Sequence, residues 1–133
     1  MAIRPPDHWR ECVAEEASEV ASGKLDVDDA VMAQLFPESL LSRTDETLSI
    51  FEVELAALAN PSDEEIFGVI EHVVIALNMI NSEHNGAGYE TGEREQLCLY
   101  IDESLTEAGI DVEALASRRG IRRYEITDQW RRW

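Results

Sequence analysis

Apolar residues recur at three- and four-residue steps along most of this chain, and residue types that start or stop helices bound each stretch. Asp7 follows a Pro-Pro pair and is placed to cap a helix with the stripe Trp9, Val13, Ala17 and Val20, stopped at Gly23. Asp26 caps a short second helix through Val31 and Leu35, ended by Pro37. Thr44 or Asp45 caps a third, with Leu48, Phe51, Leu55 and Leu58 inward, and Asn60-Pro61 breaks it.

The next start signal is the strongest. Ser62 and Glu65 stand in the S-x-x-E spacing of a capping box, ahead of a helix that is apolar nearly all round. Its polar residues Glu64, Gly68, Glu71 and Asn78 fall on one narrow stripe with His72 at the edge, so it is the natural central element. Ile66, Val69, Ile70, Val73, Leu77 and Ile80 are its predicted core side chains. Thr91 or Gly92 begins a fifth helix carrying Leu97, Ile101 and Leu105, ended at Gly109 with Ile110 placed for a Schellman contact. Asp111 caps a short "VEALASRR" helix ended by Gly120, and the tail "IRRYEITDQWRRW" reads as extended before a last turn at Thr127 or Asp128. No run alternates as a strand would. The pattern predicts an all-α fold, a compact bundle of five to seven helices around a buried central helix at about 63–83.

Composition supports a packed core, because 44% of the 133 residues are apolar despite a formal charge of −17. One acidic domain is expected over residues 1–133, with an Arg/Trp-rich C-terminal tail at 118–133. Residues 1–117 carry a net charge of −21 and residues 118–133 one of +4. A body so charged repels nucleic acid and anionic membrane and attracts a basic protein at long range. No signal-like apolar stretch opens the chain, and the run "IFGVIEHVVIALNMI" is interrupted by Glu71 and His72 and short for a bilayer. A soluble cytoplasmic protein with free, buried Cys12 and Cys98 is the expectation.

Candidate chemistry begins with the loop "NSEHNGAGYETGERE", residues 81–95. A phosphate cradle is excluded by its missing lysine and by Glu83, Glu90, Glu93 and Glu95 around Gly86, Gly88 and Gly92. Asn81, Glu83, Asn85 and Gly86 match the first part of a calcium loop. Its twelfth position, which needs a bidentate glutamate, falls on Gly92. The loop is therefore read as a helix–helix turn, with no metal and no cofactor. His8, His72 and His84 have no metal-ligand spacing. The tail's arginines and tryptophans have a composition found in nucleic-acid contacts, but the acidic body competes for those arginines. The tail is predicted to fold back, with Trp130 and Trp133 packing and the arginines on body carboxylates.

The acidic helix faces carry more information. Glu11, Glu15 and Glu19 lie at successive i,i+4 steps on the first helix, and Glu103 and Glu107 repeat the step on the fifth. Like charges at that spacing cost a helix roughly 0.2–0.5 kcal/mol per pair, which selection for folding alone would tend to remove. Glu83, Glu95 and Asp102 extend the candidate surface, with Leu99 and Tyr89 as exposed apolar anchors beside it. A small, very acidic, all-α chain with no catalytic signature resembles, in charge and architecture, the bacterial immunity proteins that neutralise nuclease toxins. The resemblance implies an inhibitor that covers the active site of a basic partner such as a nuclease toxin. A rival reading is a small enzyme or ligand-binding domain using Glu71, His72 and Asn78 on the central helix. A third is a self-associating regulatory or structural module, such as a homodimer joined through the Arg-rich tail.

Overall fold

In the computed structural model, which describes every residue except Met1, Asn85 and Ala87, and Ala33 by its backbone alone, Ser62 opens the longest helix. Its hydroxyl accepts the Glu65 N–H at 3.1 Å while the Glu65 carboxylate accepts the Ser62 N–H at 3.2 Å. Both halves of the capping box are formed, and two orphan donors of the helix end are satisfied. This helix, α4 (Asp63–Glu83), follows α1 (Pro5–Ala21), α2 (Met32–Leu35) and α3 (Glu38–Ala56) and precedes α5 (Thr91–Glu107) and α6 (Val112–Arg119). Short 3₁₀ turns occupy Val27–Asp29 and Arg123–Glu125, and no strand occurs among the described residues.

The fold is an all-α bundle with α4 as its main apolar contributor. Ile66, Val69, Ile70, Val73, Leu77 and Ile80 are all buried, joined by Phe67 and Val74. Each such side chain is worth about 1.5–3 kcal/mol of transfer from water. α3 lies antiparallel against α4 and supplies Leu40, Leu41, Leu48, Phe51 and Leu55. Two side-chain contacts mark the register of this hairpin, the Arg43–Glu83 ion pair at 2.6 Å and the approach of the His72 ring to the Glu54 carboxylate at 2.5 Å. By length and hydropathy alone α4 is long and apolar enough to cross a membrane, because polar end turns lengthen the 15-residue run visible in the sequence. Here its apolar side chains build the core. The outer flank differs from expectation, since Ile75 and Met79 are exposed beside Gly68, Glu71 and His72.

Several boundaries move. α1 begins at Pro5, with Pro5 and Pro6 in its first turn and Asp7 inside the helix; proline suits a turn whose N–H groups have no helical acceptor. Of its stripe only Trp9 is fully buried, so the second half of α1 is a surface helix. α3 starts at Glu38, behind Pro37, so Thr44 is no cap. It lies buried in mid-helix, its hydroxyl 2.6 Å from the Tyr89 hydroxyl. Asp26 does cap, but it opens the 3₁₀ turn, and α2 beyond that is a single turn of helix. Asp111 caps α6, and Ile110 donates to the Leu105 carbonyl at 3.0 Å in the expected Schellman arrangement.

The loop after α4 is a turn cinched by Asn81. The Asn81 side-chain oxygen accepts the Tyr89 N–H at 3.1 Å, and its carbonyl accepts the Gly86 N–H at 2.9 Å. Gly86 has φ +72°, and a Cβ at Gly88 would lie 3.2–3.4 Å from His84, Leu40 and Asn81. The glycines thus serve a sharp reversal and a close approach. Asn85, one of the calcium-loop positions, lies outside the described residues.

Leu77→Ala should cost about 2–5 kcal/mol in urea unfolding, because the removed atoms leave a cavity with no solvent access; a loss below about 1 kcal/mol would contradict the packing. Calcium titration should give no saturable heat below about millimolar, since the Asn81 oxygen is already engaged; a stoichiometric transition there would reopen the loop as a cation site.

Candidate functional site

α1 and α5 lie side by side and antiparallel. The Ala2 N–H donates to Glu107 at 2.8 Å near one end of the pair. The Trp9 indole N–H donates to the Gln96 side chain at 2.6 Å further along. Arg4 locks the start of α1 in place. Its guanidinium donates to Glu52 at 2.6 Å and to Asp45 at 3.2 Å, both on α3. The Tyr100 hydroxyl of α5 donates to the same Glu52 carboxylate. Burial pushes the Glu52 carboxyl up, but the Arg4 and Tyr100 hydrogen bonds outweigh it and hold the group below its ordinary range. One carboxylate therefore ties three helices together.

This arrangement sets the acidic row of α1 alongside that of α5. α5 carries Glu95, Glu103 and Glu107 exposed, with Asp102 half-buried between them. On α1, Glu11 is exposed 4.0 Å from the His8 ring, and Glu15 and Glu19 continue the row. Between the helices runs a shallow depression of about 200 Å³, lined among others by Ile3, His8, Leu99 and Glu103. On the other side of α5 a larger groove of about 490 Å³ separates it from the C-terminal segment. Glu95, Leu99 and Asp102 form one wall of that groove and Arg123, Tyr124 and Ile126 the other. Leu99 borders both depressions and is 57% exposed; Ile3 and Tyr124 are more exposed still. The candidate site is this face, apolar in its grooves and carboxylate-rimmed.

Leu99 therefore stands where the sequence pattern puts an exposed anchor. Tyr89 does not. Only 2% of it is exposed, and its ring sits among Trp9, Trp133 and the Thr44 hydroxyl, which removes it from any contact surface. Burial also pushes its phenol well above the ordinary range. The cause is the folded-back loop, which turns an aromatic in a glycine-rich stretch into a core residue. Glu83 is paired with Arg43 on the α3–α4 seam, apart from the α5 row. Sequence reasoning missed Ile3, Arg123 and Tyr124. The available signal was isolation: Tyr124 lies between Arg123 and Glu125, and Ile3 just ahead of Arg4 and two prolines, with no helical stripe to absorb either.

The C-terminal segment folds back as expected. Trp133 is buried, and Trp130 packs at 6.4 Å from Phe67. Arg118 forks onto Asp63 at 2.8 and 2.9 Å, and Arg123 onto Asp102 at 2.8 and 2.7 Å. The Asn78 amide clamps the segment, donating to the Trp130 carbonyl at 2.8 Å and accepting the Arg132 N–H at 2.9 Å. That contact separates the three polar groups of the central helix, since His72 pairs with Glu54 and Glu71 faces solvent. No convergent acid–base set forms there. His84 is held by the Ile80 carbonyl and Ser39, and no group of three or more metal-ligating side chains gathers among the described residues. Cys98, at the floor of the larger groove, is half-buried, and burial pushes its thiol up, away from the reactive thiolate.

Comparison with protein-family models, with characterised proteins and with solved structures finds no match for this chain.

The Glu52 junction makes a pH prediction. A carboxyl whose pKa is depressed by folding contributes stability that is present above its ordinary value and lost as pH falls through the depressed one. Thermal stability of the native protein should therefore fall more steeply than that of Glu52→Gln on acidification from near pH 4.5 downward. Parallel curves would show that the junction holds no pH-dependent stability.

Proposed function

We propose that this protein is an acidic inhibitor that binds a basic protein across the α1–α5 face and covers that partner's working surface, in the manner of the immunity proteins it resembles in charge and architecture. The observation that carries the reading is the pairing of uncompensated carboxylates with exposed apolar groups on one rigid surface. Glu11, Glu15, Glu19, Glu95 and Glu103 form no ion pair with an arginine or lysine among the described residues, and the exposed Leu99, Ile3 and Tyr124 line the same two depressions as Glu95 and Glu103. Charge of this kind raises encounter rates, and apolar anchors then slow dissociation. Because the face is built from two packed helices, little conformational entropy is lost on docking. In this reading the partner is a basic protein of the nuclease-toxin kind, and nucleic acid and anionic membrane are repelled.

The test is kinetic. A basic protein captured from the native cell should associate fast at low salt and slow steeply above about 0.1 M, where the Debye length falls to about 10 Å. Its enzymatic activity should fall on binding. Replacing Glu103 and Glu107 together with glutamine should lower the association rate about threefold or more while leaving the fold intact. Glutamine keeps an acceptor for the Ala2 N–H and relieves an i,i+4 repulsion. The same change at Glu11 and Glu15 should act in the same direction, because both rows belong to one face. Association that ignores salt and all four substitutions would contradict the proposal.

A further inference from the structure

The groove between α5 and the C-terminal segment has a chemistry more specific than negative charge. Its α5 wall repeats an acid–apolar–acid pattern, Glu95, Leu99 and Asp102, with the two carboxylates two helical turns and about 10 Å apart along the axis. One of these acidic positions is already filled from within the chain. Arg123 forks onto Asp102 with donor distances of 2.8 and 2.7 Å and adds a bond to the Thr106 hydroxyl at 3.3 Å. A planar guanidinium is thus the group that this wall receives in the bidentate mode. The other position is vacant: Glu95 is exposed and forms no ion pair or hydrogen bond among the described residues. One turn along from it lies the exposed Leu99, and the opposite wall carries Ile126 and the exposed Tyr124, whose hydroxyl accepts from Arg122 at 3.0 Å.

We propose that this groove takes an arginine-bearing amphipathic segment of the basic partner, one guanidinium forking onto Glu95 while an apolar side chain about one turn away seats on Leu99 and Ile126. Tyr124 closes the seat by stacking on the guanidinium plane. The inference rests on the reading of the protein as a binder of basic partners and adds a selectivity that overall charge does not provide. Lysine brings the same charge, but it neither forks onto a carboxylate nor stacks as a plane. A steered encounter without this seat would treat the two cations alike.

Two helical peptides of about fifteen residues serve as probes, identical in their leucines and alanines and carrying either arginine or lysine at every cationic position. Their affinities are measured by fluorescence anisotropy with the full chain at low and moderate salt. The arginine peptide should bind about threefold or more tighter than the lysine peptide. Glu95→Gln, Leu99→Ala and Tyr124→Ala should each remove most of that difference, and these exposed positions leave the core untouched. Glu15→Gln with Glu19→Gln should weaken both peptides equally. Equal affinity for the two peptides, no binding of either, or a preference for arginine that survives all three groove substitutions would overturn the inference. Salt-sensitive association of the captured partner would still stand in those cases, so the two proposals fail separately.

Discussion

Cations are scarce in this protein, and where they go decides which carboxylates remain free. The chain has 28 acidic and 11 basic residues, and the arginines are concentrated at junctions between elements. Arg4 joins the start of α1 to α3, Arg43 joins α3 to α4, Arg118 joins α6 to the first turn of α4, and Arg123 joins the C-terminal segment to α5. Surface pairs of this kind contribute little stability individually, about 0–1 kcal/mol. Their structural effect is to neutralise carboxylates where helices meet. Glu11, Glu15, Glu19, Glu95 and Glu103 receive no such arginine or lysine among the described residues, whereas Asp102 in the α5 row is taken by Arg123.

The core makes that distribution tolerable. A domain with so much like charge needs apolar burial to offset self-repulsion, and α4 with α3 supplies most of it. The aromatic group of Trp9, Phe36, Tyr89 and Trp133 draws α1, the end of α2, the loop after α4 and the C-terminal residue onto the same core, with Trp9 stacked on Phe36 at 5.5 Å. α1 and α5 are thereby held as fixed neighbours, with Glu11 beside His8 at the edge of the groove that Leu99 and Glu103 line. The Glu52 carboxylate, which accepts from Arg4 at the start of α1 and from Tyr100 of α5, sets the position of α1 relative to α5.

Much of this was legible in the sequence where the signal is local. The Ser62–Glu65 box, the Schellman end at Ile110, the Asp111 cap and the core face of α4 depend on spacing within a few residues, and all are present in the fold. The failures share a different cause. Thr44 resembles a cap, but Pro37 starts the helix earlier and a distant tyrosine claims its hydroxyl. Tyr89 resembles a surface aromatic until Asn81 bends the loop back and brings it to Thr44, 45 positions earlier in sequence. Ile75 and Met79 look like core by composition and lie outside because nothing packs over that flank of α4 among the described residues. Of the candidate site, the acidic rows are visible in the sequence, while the placing of α1 beside α5 depends on the long-range pairing of Ala2 with Glu107 and of Trp9 with Gln96.

A binding surface on α1 and α5 leaves the exposed flank of α3 and α4 outside the contact. Hydrogen–deuterium exchange of the protein, alone and saturated with a basic partner of the kind proposed, compares the two surfaces directly. Added protection should concentrate in the first half of α1, in α5 around Leu99, and in the segment at Arg123–Ile126. Protection confined to α3 and α4 around Ile50, Ile75 and Met79, with α5 unchanged, would contradict a partner docked on the α1–α5 face.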